Sequence, residues 1–310
     1  MPVPHVMVIG DINIDMVIAA DEYPPEGGEA VVEKANFRPG GSGCNTSIVL
    51  SKLGAEVWHV GHIGTDPFGQ MASRYIGLST VHTDLIQQRD EFQTGFFLIL
   101  TTSGGQRTMF GQRAANNQPP DIKVVEKFSH AIELMHISGY TLINPQQSAA
   151  ILEIAHHMSG QKKLISMDPG VCTMKSEKGK IKDLLPHLDF LLLSQRELLD
   201  YSSPRDVEQG IQELLNLGVK AIILKKGEQG SECITHHERL SQPAIPIAGK
   251  QIFDTTGAGD SFNAGFLLGV LQKRAMQECL LAGNRAAYQL ITSERGMLDI
   301  CESTGILQDI

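Results

Sequence analysis

The string Asp254-Thr255-Thr256-Gly257-Ala258-Gly259-Asp260, followed at once by the apolar run 261–271, is the strongest chemical signal in the sequence. Its glycines and alanine permit a tight turn whose backbone N–H groups converge on one place. A turn that opens a helix adds roughly half a positive charge, so Gly257, Ala258 and Gly259 read as an anion hole. Asp260 stands beside that hole. A carboxylate there repels a bound phosphate and is a poor choice for binding. It makes sense as the acceptor of a proton from an alcohol that attacks a phosphoryl group. The competing reading is an Asp that merely caps the helix. An isolated G-x-G-D would favour the cap; the whole string ahead of an apolar helix reverses that.

A second group of candidates lies near the start. Asp15 follows the apolar run 3–9, at the carboxyl end of a first strand, where open α/β sheets hold ligands. It can accept two hydroxyl hydrogen bonds from a polyol, or it is an exposed Asp at a strand junction. Gly40, Gly41 and Gly43 allow close backbone approach, and Asn45 offers both donor and acceptor; the alternative is a plain glycine turn entering a helix. Farther on, Lys225 ends a strand, either as a phosphate partner or as a solvated Lys. Arg107 and Arg113 either meet an acidic group on a substrate or are solvated.

Positioning these residues requires a particular architecture. Apolar runs at 3–9, 56–63, 134–138, 163–168, 190–194 and 220–225 read as strands. Helical stretches at 45–53, 146–158, 175–185 and 206–217 fall among them, and two helices, 260–272 and 276–293, close the chain. Strands alternating with helices predict an α/β fold: a three-layer, doubly wound, mainly parallel sheet with right-handed crossovers. Two β-rich stretches, about 14–38 and 92–112, break the rhythm with turn clusters such as Pro24-Pro25-Glu26-Gly27-Gly28 and Ser103-Gly104-Gly105. They read as antiparallel ribbons forming a small β-sheet lid on one domain spanning 1–310.

Bulk properties narrow the function. With 310 residues the chain can bury a full core, and a formal charge of -9 argues against a nucleic-acid backbone binder. Cys44, Cys172, Cys233, Cys279 and Cys301 include no C-x-x-C pair, which predicts free thiols in a reducing compartment. The short apolar start lacks a basic region, and no run reaches membrane length, so no membrane partner and a cytoplasmic location are expected. There is no G-x-x-x-x-G-K-[ST], no G-x-G-x-x-G after the first strand, no H-E-x-x-H and no G-x-S-x-G.

The string 254–260 resembles the signature of the ribokinase-like (PfkB) family of carbohydrate kinases, and further segments extend the likeness. Gly10-Asp11-Ile12-Asn13-Ile14-Asp15 is similar to that family's substrate-contacting first-strand segment. Gly40-Gly41-Ser42-Gly43-Cys44-Asn45 resembles its second signature, and 61–69 its G-x-(I/V)-G-x-D-x-x-G segment. Lys225-Lys226-Gly227-Glu228-Gln229-Gly230 matches the loop beside the nucleotide phosphates, with Lys225 where Thr is usual. The resemblance covers about 5–296. It implies substrate contacts from Asn13, Asp15, Gly41, Ser42 and Asn45, and catalysis by Asp260 with Gly257, Ala258 and Gly259. It implies nucleotide contacts from Ser194, Glu197, Lys225, Gly227, Gly230 and Asn284. Ser194 stands where the family has Asn in N-x-x-E, and Glu197 would hold Mg2+ through water. Asp254 is similar to a monovalent-cation loop, which would bind K+. Ser42 replaces the Lys of ribokinase proper, which leaves ribose in doubt.

The resulting expectation is an ATP-dependent kinase that transfers the γ-phosphoryl group to a hydroxyl of a sugar or sugar-like substrate. The alternative is an adenosine-type nucleoside kinase, with Phe37, Phe92, Phe96 and Phe97 of the lid as a wall for a base. A non-catalytic nucleotide- or sugar-binding sensor is a further alternative. Exposed lid edges and the family's habit suggest a homodimer through the lid.

Overall fold

In the first strand, β1 (His5–Ile9), Val6 and Val8 face one way and Met7 and Ile9 the other, and all four are buried. Such a strand must be covered on both faces. It belongs to a computed structural model that describes residues 3–102, 107–202, 207–247 and 249–300. The turn expected at Ser103-Gly104-Gly105, the helix residue Asp206 and Cys301 lie outside the described residues.

After β1 come β2 (Asn13–Ala20), β3 (Ala35–Gly40), α1 (Ser42–Lys52), β4 (Glu56–Gly64), α2 (Pro67–Ile76), β5 (Ile86–Arg89), β6 (Gly95–Thr102), β7 (Arg107–Gln112) and α3 (Ile122–Ser129). The alternation then becomes regular: β8 (Leu134–Ser138), α4 (Pro145–Gly160), β9 (Leu164–Asp168), α5 (Val171–Ser176), α6 (Lys178–Leu184), β10 (Phe190–Ser194), α7 (Gln195–Tyr201), α8 (Val207–Asn216) and β11 (Ala221–Lys225). A hairpin of β12 (Ser231–Ile234) and β13 (Arg239–Gln242) precedes α9 (Ala258–Leu271) and α10 (Met276–Ile291).

Among the described residues the main sheet has the order β13-β12-β11-β10-β9-β8-β1-β4-β5. Neighbours from β5 to β11 pair in parallel, and β12 and β13 add an antiparallel edge. One apolar layer packs Val6 and Val8 against α1, α9 and α10 through Ile48, Phe262, Phe266 and Leu280. The other packs Met7, Ile9 and Ile137 against α4, α6 and α8 through Ile151, Ile181 and Leu214. The chain winds outward from β1 in both directions, so the switch point between β1 and β8 opens a crevice at their carboxyl ends. No helix among the described residues is long and apolar enough to cross a membrane.

The lid is a four-stranded sheet in the order β3-β2-β6-β7. Each ribbon is antiparallel, as the sequence suggests, but β2 and β6 join them in parallel. The reason is directional: β2 continues from β1 and β6 from β5, and those two strands run the same way. Two boundaries also differ from expectation. The stretch 175–185 divides at Glu177 into α5 and α6. Helix α9 starts at Ala258, which makes Asp260 its third residue rather than its cap.

Candidate active site

Gly257 caps α9 with φ 82°, in the left-handed region, where a side chain would be strained. The chain thus swings from the 254–256 segment straight into the helix. Ala258 N–H turns back to the Thr255 carbonyl at 3.3 Å. The next N–H groups have no acceptor within the helix, as at any helix start.

Asp260 is held by the facing helix. Ser42 and Asn45 are three residues apart on α1 and so share one side of it. Ser42 Oγ donates to Asp260 Oδ1 and Asn45 Nδ2 to Oδ2, each at 2.7 Å. Both oxygens are therefore aimed. Burial, reinforced by Asp168, pushes the Asp260 carboxyl up to about 6, while the Asn45, Ser42 and Lys225 groups pull the other way. Asn45 Oδ1 is buried and without a partner.

A cavity of about 140 Å³ is lined by Ser42 and Asn45, the two residues that hold this carboxylate. Its polar wall is Asp11, Asn13, Asp15, Ser42 and Asn45, and its apolar wall is Phe97, Ile99, Met109 and Tyr140. Strand register explains the lid's part: Asp15 pairs with Phe97, and Ile99 with Met109, on one face. Of Phe37, Phe92, Phe96 and Phe97, it is Phe97 that lines the cavity; Phe96 and Phe37 pack against Phe68 of α2. Gly41, with φ 93°, leaves no room for a side chain, since a Cβ would stand 2.1 Å from the Asp11 carbonyl oxygen. Burial raises the Asp15 carboxyl to about 7, with Arg38 opposing and Asp260 adding to the rise.

Behind the cavity, Arg113 grips Asp11 with two hydrogen bonds of 2.8 Å and also donates to Gln147, Asn117 and the Asn116 carbonyl. Asn116 in turn donates to Asn13 Oδ1 at 2.8 Å. Arg113 is buried in this clamp, so it is not solvated. Arg107 is likewise engaged, with Asp254, Thr255 and Thr256.

At the carboxyl end of β10, Ser194 and Glu197 form a reciprocal capping box on α7. Glu197 Oε2 accepts from Ser194 N and Oγ at 2.6 and 2.8 Å. Burial and then Asp168 raise the Glu197 carboxyl above its ordinary range. Lys225 is not solvated: its side chain is 14% exposed and its Nζ lies 2.6 Å from Asp168 Oδ2. Gly227 and Gly230 both have positive φ, and a Cβ on Gly230 would collide with the Gln242 carbonyl. Asn284 donates to the carbonyls of Gln242 and Pro243, so its amide pins the segment after β13.

Asp254 accepts from Thr256 N–H at 2.8 Å and pairs with Arg38 and Arg107. Burial would raise this carboxyl, but the Thr256 N–H and Arg38 outweigh it and hold it low. Sequence reasoning missed Asp168, Asn263, Tyr140 and the Asp11–Arg113 clamp. Asp168 ends β9 at the sheet's carboxyl edge, the one signal that could have marked it.

Comparisons with known proteins bear on the fold and the family. A ribokinase from Arabidopsis thaliana is 26% identical over 294 residues, covering 92% of this chain and 75% of that protein. A nucleoside kinase from Methanocaldococcus jannaschii is 26% identical over 291 residues, covering 92% and 90%. The structure of Arabidopsis thaliana ribokinase complexed with ribose and ATP superposes with a TM-score of 0.83 at 22% identity, covering 99% of this chain and 98% of that one. That superposition establishes the ribokinase fold, small second sheet included. The pattern of the pfkB family carbohydrate kinases matches residues 3–301, nearly the whole chain, and the protein therefore belongs to that family of phosphotransferases.

Proposed function

We propose that the protein transfers the γ-phosphoryl group of ATP to a hydroxyl of a small neutral sugar, with Asp260 as general base. The observation that carries this reading is the aimed carboxylate: Asp260, three positions after Gly257, has both oxygens fixed by Ser42 and Asn45, two residues that line the cavity. The sugar binds among Asp15, Asn13 and Asn45, whose oxygens and amides match hydroxyl donors and acceptors. Asp260 takes the attacking hydroxyl's proton, and the N–H groups at the start of α9 stabilise charge on the transferring phosphoryl. The lid's Phe97 and Met109 exclude water from the reacting groups.

Charge supports a neutral substrate. No Lys or Arg is among the described residues that line the cavity, and Arg113 is paired with Asp11 and Arg38 and Arg107 with Asp254. A carboxylate-bearing sugar acid would face Asp11 and Asp15 without a free cation. The second reading, a nucleoside, draws on the apolar wall of Phe97, Ile99 and Met109 and on the nucleoside kinase relative.

The donor set fits magnesium: Glu197 spends Oε2 on the α7 cap, and no hydrogen bond engages Oε1 among the described residues. When bound, the ion neutralises phosphate charge, and Glu197 would hold it through water. A monovalent cation does not fit at Asp254, whose oxygens face two guanidinium groups. A cytoplasmic location accords with the unpaired state of the four described cysteines. The lid's outer face, with Met16, Leu98 and the 61% exposed Phe110 in register, is suited to a second copy.

The test is ADP release from magnesium-ATP with a panel of neutral sugars, sugar acids and nucleosides, run beside Asp260→Asn. Turnover on a neutral sugar that falls about 10²–10⁴-fold in the variant supports the proposal. Turnover confined to nucleosides establishes the second reading, and a fully active Asp260→Asn overturns the mechanism.

A further inference from the structure

Lys225, the last residue of β11, reaches past β10 to Asp168 at the end of β9. Its Nζ is 2.6 Å from Asp168 Oδ2 and 3.2 Å from Asn263 Oδ1, and Asn263 Nδ2 donates to the same Asp168 oxygen at 2.7 Å. Asn263 is wholly buried on α9, three residues after Asp260 and four after Gly259, so all three face one side of the helix. A Cβ placed on Gly259 would lie 3.6 Å from Lys225 Nζ. The ammonium therefore borders the same glycine turn that forms the start of α9. An ammonium carries three N–H donors, and Asp168 and Asn263 account for two.

We propose that Lys225 is a catalytic residue that donates its third hydrogen bond to the phosphoryl group in transit, and that Asp168 and Asn263 are positioning residues that aim it. The inference rests on the kinase reading and deepens it. The substrate hydroxyl oxygen forms a bond to the γ-phosphorus, the bond from phosphorus to the β–γ bridging oxygen breaks, and the hydroxyl proton passes to Asp260. The products are a phosphate ester and ADP. Lys225 moves no proton in this step; it supplies positive charge where the equatorial oxygens gather negative charge. Its place is fixed before ATP arrives, because Asp168 and Asn263 already restrain it, so little reorganisation is needed. Gly259 keeps the gap open: any larger residue would screen Nζ from the turn.

The rival account is a buried ion pair that ties β9, β11 and α9 together and has no contact with ATP. Removing one partner of such a pair leaves an unpaired buried charge and destabilises the fold, so Lys225→Met alone cannot separate the two accounts. The double variant Lys225→Met/Asp168→Asn removes both charges, and Lys225→Gln/Asp168→Asn does so with a neutral amide in place of the ammonium. Each is compared with wild type by thermal melting, by affinity for ADP and for the non-hydrolysable triphosphate AMP-PNP, and by kcat. We expect folded variants that bind ADP within about twofold of wild type, lose about tenfold in AMP-PNP affinity and lose about 10²-fold in kcat. A double variant with wild-type AMP-PNP affinity and kcat overturns the proposal. So does an equal loss of ADP and AMP-PNP affinity, which would place Lys225 away from the γ-phosphoryl. If wild type turns over no alcohol, the kinase reading fails by itself, and the ADP-to-AMP-PNP comparison still decides whether Lys225 meets the terminal phosphoryl group.

Discussion

The carboxylate of Asp15 lies against Gly40 so closely that a Cβ on that glycine would stand 2.0 Å from Oδ1. The two residues are on paired lid strands, β2 and β3, and Asp15 is registered with Arg38, two positions before Gly40. The absence of a side chain at 40 is what lets the carboxylate turn into the cavity. Gly40→Ala should therefore displace Asp15 and raise the KM for the alcohol about tenfold or more, the effect of losing one or two well-aimed hydrogen bonds. The KM for ATP should stay within about twofold, since Asp15 lies on the sugar side of the site. Parallel rises in both would mean that the lid as a whole had been displaced.

Under the proposed mechanism, Asp260 sets the acid limb of the rate profile. Its carboxyl is pushed up to about 6 by burial and Asp168, and a general base must be ionised to work. Activity should fall as pH drops through about 6 and level off above it. Hydrogen bonds from Ser42 and Asn45 favour the ionised form, so deleting either raises the pKa. Ser42→Ala should shift the acid limb to higher pH without changing its shape. A limb that stays in place would assign the titration to another group.

How much of this site could be read from the chain depends on sequence distance. The glycine turn at 257–259 and Asp260 are contiguous, and their chemistry follows from four adjacent residues. Strands β8 and β10 coincide with their expected limits because short apolar runs bounded by polar residues have little freedom. Nothing local couples Lys225 to Asp168, 57 positions away, or Arg113 to Asp11, 102 positions away. Those pairs exist because β9 and β11 flank β10 and because the segment after β7 returns beneath β1. Read as single residues, Lys225 and Arg113 left open the choice between a ligand contact and a solvated charge. The parallel joint between β2 and β6 was hidden for the same reason, since it depends on the order of β1 and β5 in a sheet not yet assembled.

Asp15 also links stability to pH. Burial raises its carboxyl from an ordinary 3.8 to about 7, so the native protein holds a proton that the unfolded chain releases. Between those values the native state binds the more protons. The associated stability is complete below about 4 and is lost as pH climbs through about 7. In the absence of sugar, Asp15→Asn should raise the melting temperature by a few degrees near pH 7.5, roughly 2–4 kcal/mol at most, and change little near pH 4. An equal gain at both pH values would trace the effect to packing rather than to the proton.

Asp254 carries the sharpest departure from the family resemblance. Its two oxygens face Arg38 from β3 and Arg107 from β7, so fixed guanidinium groups stand where a monovalent cation was expected. Initial rates at constant ionic strength should be equal in sodium, potassium and tetramethylammonium salts. A severalfold advantage for potassium would show that a cation displaces or joins these arginines.

Arg107 connects the far edge of the lid to the segment that leads into the glycine turn. It donates to Thr256 Oγ1 at 2.8 Å and also reaches Thr255 and Asp254. The same sheet carries Phe97 and Met109 over the substrate cavity, so this contact holds the roof against the catalytic turn. Arg38 still neutralises Asp254 when Arg107 is removed, which keeps the turn itself intact. Arg107→Ala should therefore leave the melting temperature nearly unchanged, because a half-exposed ion pair contributes about 1 kcal/mol or less. The loosened roof should instead admit water. ADP released without any alcohol present should rise as a fraction of total turnover, and the KM for the alcohol should increase about tenfold. The measurement is the ratio of ADP to phosphate ester in one reaction mixture. A ratio that stays at one, together with an unchanged KM, would mean that the lid closes by other contacts and that Arg107 only decorates its edge.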